Sequence, residues 1–397
     1  SLPRAAAPVS LTDLNDSDIR LNPFNFASPL LIHAANSPHA NSSDPVRLVA
    51  KQGSIESLQM NFPKRSIIQA GKDLAKNKLF IQHLNESDYS TISAGRDITS
   101  ASSRDFVSGA KDSNSDLISI SGPGDVIFKT GRDLDLGRSD GILSVGNQLN
   151  SQLAESGANL TFLVGVPDQP DYIKFIKEMN GFRQQNASNE ITHSRLFDVI
   201  DILASIDDLD TLNSAELNKV VMPLFFKALK EGGKAESLGN VLGNKMGFHA
   251  IETLFPEHTA QGDLKMFFST IQTQSGGDIN MAVPGGGINV GLASSSDKNA
   301  TEEKVLGILA LGDGEVNAFL NDNLDVNQAR MFTLGGEDIL VWSSNGDIDA
   351  GKGAKAAFSS LPPLFSYVDD KVVVKNQPNV AGSGINADFK GLSEAEI

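Results

Sequence analysis

The chain of 397 residues contains no cysteine. That absence excludes disulfide frameworks, thiolate zinc sites and cysteine nucleophiles together. It also suits a protein exported unfolded through an oxidising bacterial envelope. Aromatic residues are scarce, at 6%. No apolar run approaches the roughly 18 residues that a membrane-spanning helix needs. The opening SLPRAAAPVSL lacks a charged stretch followed by an apolar core, so no signal peptide is expected there. On that reading a secreted protein of this sequence is a fragment or a processed product. Basic residues are outnumbered: 33 Lys and Arg against 49 Asp and Glu give a net charge of -16. Such a surface argues against nucleic acid or an anionic membrane as the main partner. It is equally the ordinary route to solubility.

Glycine is what the chain has in quantity, with 36 residues alongside 40% hydrophobic content. One phrase returns along the sequence: a glycine, one or two polar residues, then an aliphatic that often continues in alternation. It reads AGKDLA from Ala70, AGRDIT from Ala94, PGDVIF from Pro123, TGRDLDLG from Thr130 and SGANLTFLVG from Ser156. It resumes as GGDINMAV from Gly276, GGINVG from Gly286, DGEVNAF from Asp313, GGEDILVW from Gly335, NGDIDAG from Asn345 and SGINADF from Ser383. Each phrase is a glycine turn feeding a short strand with period-2 alternation. In NGDIDAG, Ile348 and Ala350 point one way and Asp347 and Asp349 the other, with Gly346 suited to a corner of positive φ. A short strand with one apolar face cannot bury it alone. Stacking coils in parallel buries every inward residue in one column and pairs every backbone group with the next rung. The expected fold class is therefore all-β, a right-handed parallel β-helix. A sandwich would need longer strands, and a propeller a regular period of roughly 40–50 residues.

Between residues 171 and 258 the glycine phrases stop and helical periodicity takes over. Leu196, Val199, Ile200 and Leu203 are spaced for one helical face. Asn213-Ser-Ala-Glu216 has the form of a capping box, opening a helix expected to end at Gly232-Gly233 and to kink or break at Pro223. Leu238, Val241, Leu242, Met246, Phe248, Ile251, Leu254 and Phe255 predict one or two further helices, stopped by Pro256. The predicted organisation is an irregular lead-in or cap over 1–50, β-helix over 51–166, an inserted α-helical subdomain over 167–262, and β-helix again over 263–397.

Paired carboxylates are the natural place to look for acid–base or metal chemistry: Asp133/Asp135, Asp347/Asp349, Asp207/Asp208 and Asp369/Asp370. On a strand, i and i+2 share a face, and an outward polar face alternating with the apolar one explains the first two pairs. Polysaccharide-cleaving β-helices are the enzyme alternative, but their Gly-His-Gly and Arg-Ile-Lys signatures do not occur. His33, His39, His83, His193, His249 and His258 are read as surface or partly buried, with no zinc-like pair on one helix. The run VPGGGINVG (283–291) lacks the helix and lysine of a phosphate cradle and reads as a turn into a strand. No G-x-S-x-G hydrolase elbow stands in a strand–turn–helix setting. Sequons at Asn41, Asn85, Asn159, Asn186 and Asn299 reflect an Asn- and Ser-rich composition. Trp342 is expected in a core or coil-edge role rather than as a sugar platform. Asn280, Asn289, Asn317 and Asn327 are expected to stack as an internal amide ladder. No catalytic, cofactor-binding or metal site is assigned, and no cofactor is expected.

The run MFTLGGEDILVWSSNGDIDAGKGAKA (331–356), preceded by SGGDINMAVPGGGINVG (275–291), resembles the C-terminal region of filamentous haemagglutinin-like exoproteins, the passengers of two-partner secretion systems. In that family, phrases of the type GGDILIWSSNGDINAGRGAKT recur. The likeness is specific over 275–356, looser over 67–166 and absent from the helical stretch. It implies export through an outer-membrane β-barrel transporter and folding into a β-helical fibre, secreted or at the bacterial cell surface. Family roles include adhesion, biofilm formation, virulence and display of a toxin. The family's Asn-Pro-Asn-Gly/Leu secretion motif is absent, since Asn22-Pro-Phe-Asn25 departs from it, so the chain reads as a distal, monomeric segment. The functional expectation is a structural and adhesive segment contacting a host or bacterial surface receptor or glycan. The alternatives are a polysaccharide-processing enzyme or the stalk of a contact-dependent toxin effector.

Overall fold

The computed structural model describes residues 9–10, 43–100, 116–147, 153–256, 260–291, 306–335, 337–351, 358–360, 364–368, 371–375, 379–381 and 384–388. Most of the lead-in, His33, His39, His258, Asn22 to Asn25, the sequons at Asn41 and Asn299, and Asp369/Asp370 lie outside them.

The chain winds through three parallel sheets of nine, eight and eight strands. Each full turn adds one strand to each sheet. Ser66–Ala70 enters the second sheet, Leu74–Ala75 the third and Lys78–Gln82 the first. The next turn repeats the order with Tyr89–Ala94, Ile98–Thr99 and Leu117–Ser121. Register then builds columns. Leu74, Ile98, Leu134, Leu264, Ile288 and Leu324 succeed one another in the third sheet, each at most 2% exposed. In the second sheet Ile68, Ile92, Phe128, Phe162, Met281 and Ala318 do the same. The Phe128 and Phe162 rings stack with centroids 4.9 Å apart. The fold is the parallel β-helix that the alternation predicts.

The Gly-Lys/Arg-Asp phrase is a corner that locks each rung to the one before it. The Asp97 amide donates to Asp73, and the Asp133 amide to Asp97 at 3.1 Å. The basic residue of each phrase reaches back one rung as well, pairing Arg96 with Asp73 and Arg132 with Asp97. Glycine is needed here for space rather than for a left-handed backbone. A β-carbon on Gly95 would lie far inside contact distance of the Gly71 carbonyl, and one on Gly131 would do the same to Gly95. Gly346, which the sequence suggested for a positive φ, is likewise absent from the left-handed region and lies against the Asp322 backbone. Gly95→Ala should therefore destabilise the protein by about 1–3 kcal/mol through overpacking. Denaturant unfolding with an unchanged midpoint would remove this explanation of the repeat.

Among the described residues, four α-helices follow residue 170: α1 Tyr172–Gln185, α2 Arg195–Ala204, α3 Ser214–Ser237 and α4 Leu242–Leu254. The ladder runs on across them: Asn159–Leu163 pairs directly with Ile279–Val283, and Leu134–Gly137 with Leu264–Met266. The capping box at Asn213 and Glu216 is present. Helix α3 nevertheless passes through both expected breaks. Pro223 is exposed, so water can serve the carbonyl its ring leaves unpaired. Gly232 and Gly233 are helical because α4 crosses there. A β-carbon at Gly232 would sit 2.6 Å from the Gly243 carbonyl oxygen. The turn comes instead at Gly239, with φ +89°. On α2, Leu196 and Ile200 are buried while Val199 is exposed.

Within the stretch read as continuous β-helix, the described strands between positions 358 and 381 lie outside the three sheets. Phe358–Ser360 pairs antiparallel with Asn379–Ala381, and Leu364–Val368 with Lys371–Lys375. Neither LFSYV nor KVVVK is preceded by a Gly-x-Asp corner, and the two pair with each other and not with the rungs. Gly384–Asp388 then rejoins the first sheet beside Arg330–Leu334.

Candidate functional site

The outer face of the second sheet is where rod and helices meet. Outward side chains Ile127, Leu163, Ala282 and Phe319 belong to one buried cluster with Phe175, Phe225 and Phe255 of the helical layer. Phe319 meets Phe225 edge-on at 5.4 Å and stacks on Phe255 at 5.8 Å. Trp342 also faces outward here, against α4. Its ring lies edge-on to Phe248 at 5.6 Å, and a β-carbon at Gly247 would come within 2.6 Å of it. Its core role, expected from the sequence, is thus in the cluster shared with the helices and not in the internal column, since its partner in alternation, Leu340, faces the helices too.

Beside this apolar strip runs a polar column. Asn159 donates to Asp125 at 3.0 Å, the Asp278 amide to Asn159 at 2.9 Å and the Glu315 amide to Asp278 at 2.9 Å. Helix α3 clamps both ends: Lys219 pairs with Asp125 at 2.9 Å, and Lys230 with Glu315 at 3.0 Å and Asp338 at 2.6 Å. Eleven residues of helix span ~16.5 Å, close to the ~14 Å of three rung spacings. The match lays α3 along the rod. Burial raises the Asp278 carboxyl above its ordinary range, and the charges of Glu315, Glu337 and Asp125 add to that, against the Glu315 amide. Burial works against the Lys230 ammonium, but its two carboxylate partners outweigh it and raise its pKa.

The asparagines expected as one internal ladder form two separate pairs on outer faces. Asn317 donates to Asn280 at 3.0 Å under the helices. Asn327 reaches Asn289 at 3.5 Å on the third sheet. Three of the paired carboxylates, Asp133, Asp135 and Asp349, accept from backbone amides. Asp133 accepts from the Asp263 amide at 2.9 Å and from Lys265 at 2.8 Å. Burial pushes Asp133 up, yet these bonds hold its carboxyl below the usual range. Asp135 accepts from the Gly137 amide, with burial raising its pKa. Asp349 accepts from the Gly351 amide at 2.8 Å. Asp207 and Asp208 are exposed after α2. The Gly286-Gly287 turn leads into the strand Ile288–Asn289, as its sequence suggests.

Sequence reasoning also placed His83 wrongly. It is fully buried, with Nδ1 2.7 Å from the Pro123 carbonyl and Nε2 2.7 Å from the Ser90 hydroxyl. The signal was available: Leu79, Ile81 and His83 continue one alternation, which turns His83 inward. His193 is exposed and His249 half-buried, and both contact backbone carbonyls. Among the described residues, no group of three or more His, Asp or Glu could hold a metal ion, and no helix is long and apolar enough to cross a membrane.

A cleft of ≈ 590 Å³ opens where the uncovered part of the second sheet meets the start of α3, with Lys129, Tyr89, Thr91, Ser93 and Ser214 among its walls. Lys129 is half-buried there, and burial lowers its pKa against the influence of Asp168.

Three stacked parallel sheets carrying a helical layer on one outer face define a parallel β-helix with an appended subdomain. Residues 336–395 match a family model described as filamentous haemagglutinin family outer membrane protein. The resemblance read from the glycine phrases is thus supported in the C-terminal part of the chain. No curated protein and no solved structure matches the chain.

Proposed function

We propose that the chain is a structural and attachment-bearing segment of a bacterial surface exoprotein, exported through an outer-membrane two-partner transporter and folded into a rod outside the cell. The observation that carries this reading is the helical layer itself. The second sheet continues beneath it, Asn159–Leu163 pairing directly with Ile279–Val283, and the layer is fixed to the rod by a phenylalanine cluster and two lysine clamps. Such a module is held rigidly on a scaffold, which suits presentation to a partner. The absence of cysteine and the C-terminal family match support export. Asp133, Asp135 and Asp349, among the carboxylates with acid–base spacing, cap backbone amides, which supports a non-enzymatic role.

The test is attachment of the purified chain to bacterial and host cells, with and without residues 171–258, each variant first checked for retained β-sheet circular dichroism. Loss of attachment on deletion is expected, and equal attachment would count against the module's role. Release of reducing ends or unsaturated sugars from a polysaccharide panel would overturn the non-enzymatic reading.

A further inference from the structure

We propose that the cleft between the second sheet and the start of α3 is a binding site for a carboxylated saccharide. This rests on the attachment reading above and gives it a ligand chemistry. The chain carries a net charge of -16, yet no Asp or Glu is among the described residues lining this cleft. Two cations, Arg47 and Lys129, are. No described carboxylate forms an ion pair with Lys129, and the one acid whose charge acts on it is the exposed Asp168. A half-buried ammonium without a partner is costly and gains most from an anion brought to it. Ser214 and Ala215, the first residues of a 24-residue helix, form part of the same wall, with the Asn213 side chain capping the Ala215 and Glu216 amides, so the positive charge of the cleft comes from Arg47 and Lys129.

The rest of the wall selects the body that carries the charge. Strands Ser66–Ala70, Tyr89–Ala94 and Asp125–Thr130, which form most of the floor, are paired on both sides and offer no edge onto which a peptide could add, and the edge strand Val46–Ala50 contributes only Arg47 to the lining. What it presents is side-chain polarity from Thr91, Ser93 and Gln69 beside the apolar surface of Ile67 and the Tyr89 ring. Spaced hydroxyl and amide groups next to an apolar patch match a sugar, with its hydroxyls on one edge and C–H groups on its face. The volume lies within the roughly 300–1,000 Å³ of small-molecule sites.

The full chain would be titrated by calorimetry and ligand-observed NMR with oligosaccharides containing glucuronate or sialate. Their neutral counterparts, sulfated sugars and an acidic hexapeptide would be titrated in parallel. The carboxylated sugars should bind, with neutral counterparts about tenfold or more weaker, the worth of one charge-assisted hydrogen bond. Lys129→Gln should lose a similar factor. Ser214→Asp should also lose binding while favouring the helix, since an acid in the first turn suits the dipole. A melting temperature at or above that of the parent would separate lost binding from lost folding. No binding by carboxylated sugars, equal binding by neutral or sulfated sugars or the peptide, or unchanged affinity in both variants would overturn the site. Cell attachment that persists without sugar binding would sink this inference alone. Sugar binding without cell attachment would sink the attachment reading alone.

Discussion

Phe225→Ala should destabilise the protein by about 3–5 kcal/mol, and the loss should fall on the helices while the rod stays folded. Phe225 is wholly buried at the centre of the interface. Its ring meets Phe226, Phe255 and Phe319 at 5.2–5.4 Å and Phe175 at 6.4 Å. Truncation leaves a cavity bounded by helices on one side and paired strands on the other, and neither can collapse into it freely. A solenoid's stability is a sum of local rungs and their neighbours. Rungs distant from Phe319, such as Ser66–Ala70 and Tyr89–Ala94, should keep their protection. Hydrogen exchange on the variant should show faster exchange across residues 172–254 with those rungs unchanged. Equal loss across rod and helices would mean that the two fold as one unit. A double-mutant cycle with Phe319→Ala should give a coupling of about 0.5–3 kcal/mol, as expected for residues in contact.

The rod was legible in the sequence because its physics is local and repeated. Period-2 alternation fixes the inward columns, and the glycine corner recurs at each turn, so one phrase read correctly serves for many rungs. The reason for the glycine was not legible. A close approach to the preceding rung's carbonyl is a contact between residues 24 apart, as for Gly71 and Gly95, and nothing within the phrase distinguishes it from a demand for positive φ. The capping box at Asn213 and Glu216 was legible for the same local reason. The course of α3 through Pro223 and Gly232 was not, since Pro223 is tolerated by exposure and Gly232 by the approach of Gly243, both set by tertiary packing. The Lys219–Asp125 and Lys230–Glu315 clamps were also out of reach. They join residues 94 and 85 positions apart across the two kinds of structure. A core role for Trp342 was legible, but which core was not, because a strand under a helical layer has two apolar faces and alternation alone cannot tell which one is the internal column.

Acidification should weaken the fold through His83 in a window of its own. The Pro123 carbonyl can only accept, so Nδ1 carries the proton and Nε2 accepts from the Ser90 hydroxyl. The Ser90 oxygen already accepts the Ser66 amide at 2.8 Å. A second proton on Nε2 would point at that oxygen and force its hydrogen away from the only acceptor it has there. Burial lowers the imidazole pKa, helped by the charge of Lys219, while the Pro123 carbonyl, Asp88 and Asp125 work the other way. The unfolded chain therefore takes up a proton near pH 6.5 that the folded chain refuses. Stability from this group is complete above that pH. It should fall as the pH drops towards the folded-state value, by at most about 1.4 kcal/mol per pH unit, and level off below it. The salt-bridged Asp73 and Asp133 act in a lower window, since their carboxyls are held below the ordinary 3.8 and their contribution is lost only as the pH falls beneath it. Urea unfolding at pH 7.5, 6.5, 5.5 and 5.0 should thus show a decline in the parent that His83→Gln lacks, even where the variant is less stable throughout. Parallel curves for the two proteins across that range would show that His83 keeps its ordinary affinity for protons in the fold, and the buried-neutral assignment would be wrong.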